Sequence, residues 1–136
     1  MKKPIYLLLV FLMIGQFGFA QINLFTTLRS DYSWNSSSGK YVLSSQDEKV
    51  ITLFEFNKGM TTFTHTTPTI TSVYKINSFE KDQRTGLYEM KVTSDAGNDY
   101  SIDLDVEQKI IKIHGNSGGS KFMVTHKIYR SWVPEL

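Results

Sequence analysis

Beyond residue 40, apolar and polar residues alternate along the chain with a period of two. Tyr41 and Leu43 open the pattern, and Val50, Thr52, Phe54 and Phe56 continue it. Ile70, Tyr74 and Ile76 follow on one face of a longer run. The clearest cases are Tyr88-Met90-Val92, Tyr100-Ile102-Leu104-Val106, Ile111-Ile113 and Phe122-Val124-His126-Ile128. Strict alternation of this kind marks strands with one buried face. The pattern predicts about eight strands, at 40–46, 49–57, 60–66, 70–80, 87–95, 99–105, 109–114 and 120–130. Asn57-Lys58-Gly59, Arg84-Thr85-Gly86, Asp95-Ala96-Gly97-Asn98 and Asn116-Ser117-Gly118-Gly119 separate them. These residues accept positive φ or form Asx turns.

Every link is too short for a crossover helix, so neighbouring strands pair antiparallel. The expected fold is therefore all-β: an up-and-down antiparallel meander that curls into a small barrel or folds into a sandwich, with the barrel favoured. Residues 21–34 fit two readings. Ile22, Phe25 and Leu28 have helical spacing, yet the segment also suits a first strand.

The first twenty residues break the pattern. Lys2 and Lys3 precede an apolar run from Ile5 to Ile14, which ends at Gly18-Phe19-Ala20. A short positive start, an apolar stretch too brief to span a bilayer, and small residues flanking a bulky one describe a cleaved signal peptide. The expected division is a leader at 1–20 and a single domain at 21–136, exported to the periplasm or beyond, with no transmembrane segment after cleavage. Removing Lys2 and Lys3 leaves thirteen basic against thirteen acidic residues, which are interspersed. A neutral chain without a basic patch points away from nucleic acid. The chain has no cysteine, so disulfides, thiol catalysis, thiolate metal sites and a lipidated cysteine are all excluded. The sequon at Asn35-Ser36-Ser37 matters only in a eukaryotic secretory pathway.

Candidate chemistry is sparse. Met60 to Ser72 holds seven threonines, but Pro68 divides the run, and Phe63 and His65 interrupt any flat threonine ladder. Threonine fits a pleated, solvated strand, so a polar hairpin explains it. His65, His114 and His126 lie on separate strands without metal-ligand spacing; His126 points inward if Phe122 and Val124 do. Asp103-Leu104-Asp105-Val106-Glu107 starts like a calcium loop, but Gln108 occupies the glycine position and His114 the final glutamate position. Asp95, Asn98 and Asp99 are explained by turn chemistry. No nucleophile elbow, phosphate loop or dinucleotide fingerprint is present. The reading leans away from an enzyme and implies no cofactor or metal, although a hydrolase with paired carboxylates is an alternative.

Aromatics are the remaining resource. Phe54, Tyr88 and Tyr100, with His126, are the candidates for touching a ligand inside a barrel. Tyr32, Trp34 and Trp132, near the chain ends, are the candidates for an interaction surface. Two partners follow: a small apolar ligand, or an extracytoplasmic protein or glycan. A binding or interaction module ranks first. In shape the pattern resembles the lipocalin-type and fatty-acid-binding barrels, and that resemblance implies a carrier of a small apolar ligand. The lipocalin G-x-W signature is missing, because Tyr32 stands two residues before Trp34.

Overall fold

The computed structural model describes residues 21–48, 50–85 and 87–133. The expected signal peptide, Lys49, Gly86 and the last three residues lie outside the described residues. Nine antiparallel strands run in chain order: β1 Ile22–Asn35, β2 Lys40–Asp47, β3 Thr52–Phe56, β4 Thr62–Thr66, β5 Thr71–Lys81, β6 Tyr88–Ser94, β7 Asp99–Asp105, β8 Ile110–Ser117 and β9 Ser120–Trp132. There is no helix among the described residues. From β3 onward each strand pairs with the next, and β9 returns to β1 with Asn23 opposite Trp132 and Ser33 opposite Phe122. Eight strands thus close a barrel, and β2 lies outside the ring.

The ambiguous first segment is a strand of fourteen residues. Ile22, Leu24 and Thr26 face inward and are fully buried. The apparent helical spacing joins residues of opposite faces, with Ile22 inward and Phe25 and Leu28 outward, and the ladder with β9 is itself broken in this stretch. Tyr129 is extra on β9 between the partners of Phe25 and Thr26, and Thr27 is extra on β1 before Leu28. Bulges of this kind bend strands sharply, which is what closing a small barrel requires. Beyond them, the pairs Arg29–His126 and Asp31–Val124 set Arg29 and Asp31 on the inner face of β1.

One edge of β1 is shared between two partners. Ile22 to Thr26 pair with β3, whereas Arg29 to Asn35 pair with β2. A third bulge, with Ser44 as the additional residue, falls between Asp31 and Tyr32 in the β1–β2 hairpin. The tight turns elsewhere follow their sequence. Gly118 and Gly119, both at positive φ (59° and 85°), close the two-residue loop between β8 and β9, where Ser117 pairs with Ser120.

The barrel interior is uneven along its axis. Towards the end formed by the β3–β4, β5–β6 and β7–β8 turns, inward residues are packed solid: Phe54, Phe56, Phe63, Met90, Ile102, Leu104 and Ile111 are each at most 2% exposed. Met60 and Val106 complete this closed end. Towards the opposite end, inward residues on the same strands become half-exposed: Asp31, Tyr74, Tyr100, Ile113, Phe122 and Val124. The barrel is filled at its base and only partly buried towards its mouth, cup-like in outline.

The register has a direct test. Ile102 lies in the packed base, and its neighbour Asp103 faces outward to pair with His114 Nε2 at 3.3 Å. Ile102→Asp buries an unpaired carboxylate and is expected to cost about 3–5 kcal/mol. Asp103→Ser, which removes only a partly exposed contact with His114, should cost less than about 1 kcal/mol. Thermal melts of the two variants check this, and equal losses would contradict the register.

Candidate functional site

The open half of the barrel gathers side chains from six strands. On β4, Phe63 and His65 face inward, and Phe63 stacks parallel on Tyr74 of β5 at 4.7 Å. Aromatic contacts then run around the wall, from Tyr74 to Tyr100 at 6.0 Å and from Tyr100 to Phe122 at 6.3 Å. Gly115 on β8 makes room for this arrangement. A β-carbon there would collide with the Phe122 ring and stand 2.9 Å from Tyr100 Cδ1. The glycine is therefore a packing requirement: it lets Phe122 lie across the wall.

Below the aromatic band sit two histidines. His126 is 1% exposed, and its ring centre is 5.3 Å from Phe54 and 6.1 Å from His65. Thr26 Oγ1 donates to the Thr52 carbonyl at 3.2 Å, so its oxygen is placed to accept from His126 Nδ1, a long 3.5 Å away. Thr52 Oγ1, buried beside them, has no hydrogen-bond partner among the described residues. Burial pushes the His126 imidazole down to about 3, with His65 and Arg29 adding to the shift and Asp31 opposing it. His65 is also lowered, first by burial and then by Arg29. Both rings are neutral at physiological pH.

The charged pair of the site lies higher. Arg29 Nε donates to Asp31 Oδ1 at 3.1 Å, and Nη2 donates to the same oxygen at 2.9 Å. Strand β2 holds the acid in place: Ser45 Oγ donates to Asp31 Oδ2 at 3.0 Å, and Ser44 Oγ to the Asp31 carbonyl at 2.9 Å. The strand outside the barrel thus fixes the charge at its mouth. Neither Arg29 nor Asp31 stands out in the sequence, because the inward parity of both depends on the β1 bulges.

Of the four residues expected to touch a ligand, the structure puts two at the open half and two in the base. Tyr100 is half-exposed in the aromatic band, and His126 lies at its floor. Phe54 underlies both histidines at 1% exposure. Tyr88 is at the closed end, 2% exposed, stacked on Phe79 at 5.5 Å with Lys81 above its ring. The three residues expected to form a surface do not form a single one. Tyr32 and Trp34 are near the mouth, on the outer face of β1, whereas Trp132 is opposite Asn23 at the other end, roughly 35 Å along the strand. There the Trp132 indole Nε1 donates to the Asn23 side-chain oxygen at 3.2 Å, and Arg130 covers its ring.

The site has little of a catalyst's geometry. Thr26 is the hydroxyl nearest the buried imidazole, but it is fully buried and its proton is engaged by Thr52. An imidazole held near 3 is a weak base at neutral pH. Among the described residues, no group of three His, Asp or Glu side chains could hold a metal ion. The chain matches no protein-family model, no curated protein and no solved structure. Fold and site together define a one-mouthed, eight-stranded barrel with an aromatic, nearly charge-balanced opening.

The histidine floor predicts a specific pH response. The folded-state value of His126 lies far below its usual 6.5, so the folded protein resists a proton that the unfolded chain accepts. That contribution is complete above pH 6.5 and is lost as pH falls towards 3, at about 1.4 kcal/mol for each pH unit. His126→Gln should remove this part of the slope, whatever it does to absolute stability. Urea melts of both proteins across the window measure it; parallel slopes would place the proton elsewhere.

Proposed function

We propose that this protein is an extracytoplasmic binding module that takes a compact ligand into the open half of its barrel. One observation supports the reading above all. Along Tyr100-Ile102-Leu104 and Phe122-Val124-His126-Ile128, inward side chains pass from half-exposed at the mouth to buried at the base. A barrel that merely fills itself has no need of half-exposed aromatics on its inner wall. The lining suits a flat aromatic or apolar body with one polar group: Tyr74, Tyr100 and Phe122 offer ring faces and edges. His65, and the half-exposed Arg29–Asp31 pair, supply hydrogen bonds at the rim.

The same observation limits the ligand. Carriers of long acyl chains need a hollow base, and here Phe54, Phe56, Phe63 and Met90 occupy it. The carrier reading therefore holds for a small, compact molecule and not for a lipid tail. The expected leader at residues 1–20 is consistent with such a role outside the cytoplasm.

Two measurements test the proposal. Titration with 1-anilinonaphthalene-8-sulfonate, a flat aromatic anion, should give saturable fluorescence enhancement. Tyr100→Ala combined with Phe122→Ala should weaken it about tenfold or more, while Trp34→Ala on the outer wall leaves it unchanged. Enhancement that survives the double variant, with its melt intact, would remove the cup from consideration. Separately, the mass of the exported protein should correspond to a chain starting at Gln21; a membrane-retained chain that keeps Met1 to Ala20 would overturn the export reading.

A further inference from the structure

The outer wall carries a further concavity, which meets the wall of the cup at Tyr100 and Gly115. It crosses the outer face of β5 to β8 near the mouth, with a volume of about 570 Å³, and Tyr41 of the β1–β2 hairpin overhangs it. That volume is in the range of small-molecule sites, about 300–1,000 Å³. We propose that this groove binds a neutral oligosaccharide.

The polar lining is organised in advance. Asn77 Nδ2 donates to Thr93 Oγ1 at 2.9 Å, and Thr93 in turn donates to Asp99 Oδ1 at 2.7 Å. Lys91 Nζ donates to Ser101 Oγ at 2.8 Å. These cross-strand contacts hold four elements of recognition in fixed places: the Asn77 amide oxygen, the second Asp99 oxygen, and two further N–H groups of Lys91. Asn116 adds a full amide at the far side. Donors and acceptors alternate over a short distance, which suits vicinal hydroxyls, each both donor and acceptor.

An aromatic wall accompanies them. Tyr41 meets Trp34 edge-on at 5.1 Å and lies 6.0 Å from the His114 ring. Lys121 Nζ is 5.0 Å above the Trp34 ring, so Tyr41 is the aromatic left facing the groove. A pyranose has an apolar face of C–H groups that packs on such a ring and hydroxyls that reach amides and carboxylates beside it.

Charge decides between ligand classes. Lys91 lies beside Asp99 in the lining, Lys121 is taken up by the Trp34 ring, and Asp103 stands just outside the groove against His114. An acidic ligand would meet Asp99, and an apolar one would strip water from Lys91 and Asp99 without replacing it. A peptide adding as a strand needs a sheet edge, and this groove lies on a sheet face. A neutral polyhydroxylated chain satisfies all three constraints.

The test uses the mature chain and defined probes: maltohexaose, cellohexaose, mannohexaose and chitohexaose, with hexagalacturonate as the acidic comparison. Calorimetric titration should show saturable binding of at least one neutral hexasaccharide. Tyr41→Ala and Asp99→Asn should each weaken it about tenfold with unchanged melts. Tyr74→Ala, which alters the cup at a residue outside the groove lining, should leave it intact, so this site and the cup stand or fall separately. Binding of none of the neutral probes, binding of the acidic probe alone, or binding that survives both groove variants would overturn the proposal.

Discussion

The structure depends on the pairing of the first strand with the last. Without the β1–β9 ladder, the remaining strands form an open, curled sheet with two bare edges, and the inward rings of Phe54, Phe63 and Met90 lose their enclosure. Open edges leave rows of unpaired amides and carbonyls that invite aggregation, and closure removes them. A cysteine-free chain of this size has no covalent cross-link to take over that task. The ladder is bent where it must turn most sharply, at the additional residues Thr27 and Tyr129. Those bulges also place Arg29 and Asp31 on the inner face.

The division of the β1 edge then shapes the two halves of the molecule. Where β3 pairs with Ile22 to Thr26, the ring is complete and the interior is packed. Where β2 takes over, it pairs among the described residues with β1 alone, and the inward side chains opposite it are half-exposed. The strand outside the ring is thus tied to the open half twice: it replaces β3 along the wall, and its serines fix Asp31. The Arg29–Asp31 pair adds little to stability at its exposure. Its consequence is local: the one guanidinium at the mouth is already neutralised.

Much of this is written in the alternation of the chain, and the reason is physical. Tyr88-Met90-Val92 and Ile102-Leu104 read as strands because one face of each is buried, and the structure keeps that register. His126 was legible as inward from its neighbours Phe122, Val124 and Ile128. Its meeting with His65 was not, since it depends on the curvature that brings β4 and β9 across the interior. Segment 21–34 was ambiguous because apolar residues stand on both faces of β1, with Ile22 inward and Phe25 and Leu28 outward, and the Thr27 bulge then shifts the inward parity to Arg29 and Asp31. The threonine run proves to be ordinary wall. Thr62 and Thr64 face outward, Phe63 and His65 inward, and the Thr67 hydroxyl accepts from Ile70 N at 3.1 Å to set the turn around Pro68.

Charge is balanced at every scale of this molecule, and that constrains how it can recognise anything. The chain after Ala20 carries equal numbers of acids and bases. The cup holds two neutral imidazoles and one closed ion pair, and the outer groove sets Lys91 beside Asp99, with Lys121 held over the Trp34 ring. A surface without a dominant sign does not steer charged partners from a distance, so on the proposed binding role association would proceed at the unsteered rate of about 10⁵–10⁶ M⁻¹s⁻¹ and vary little with salt. On that proposal selectivity would come from contact: ring faces at Tyr41, Tyr74 and Tyr100, and hydrogen-bonding groups held in place beforehand by their neighbours. Pre-organised contacts of this kind reduce the ordering cost of binding, which is the principal route to affinity for a site that has no net charge to offer.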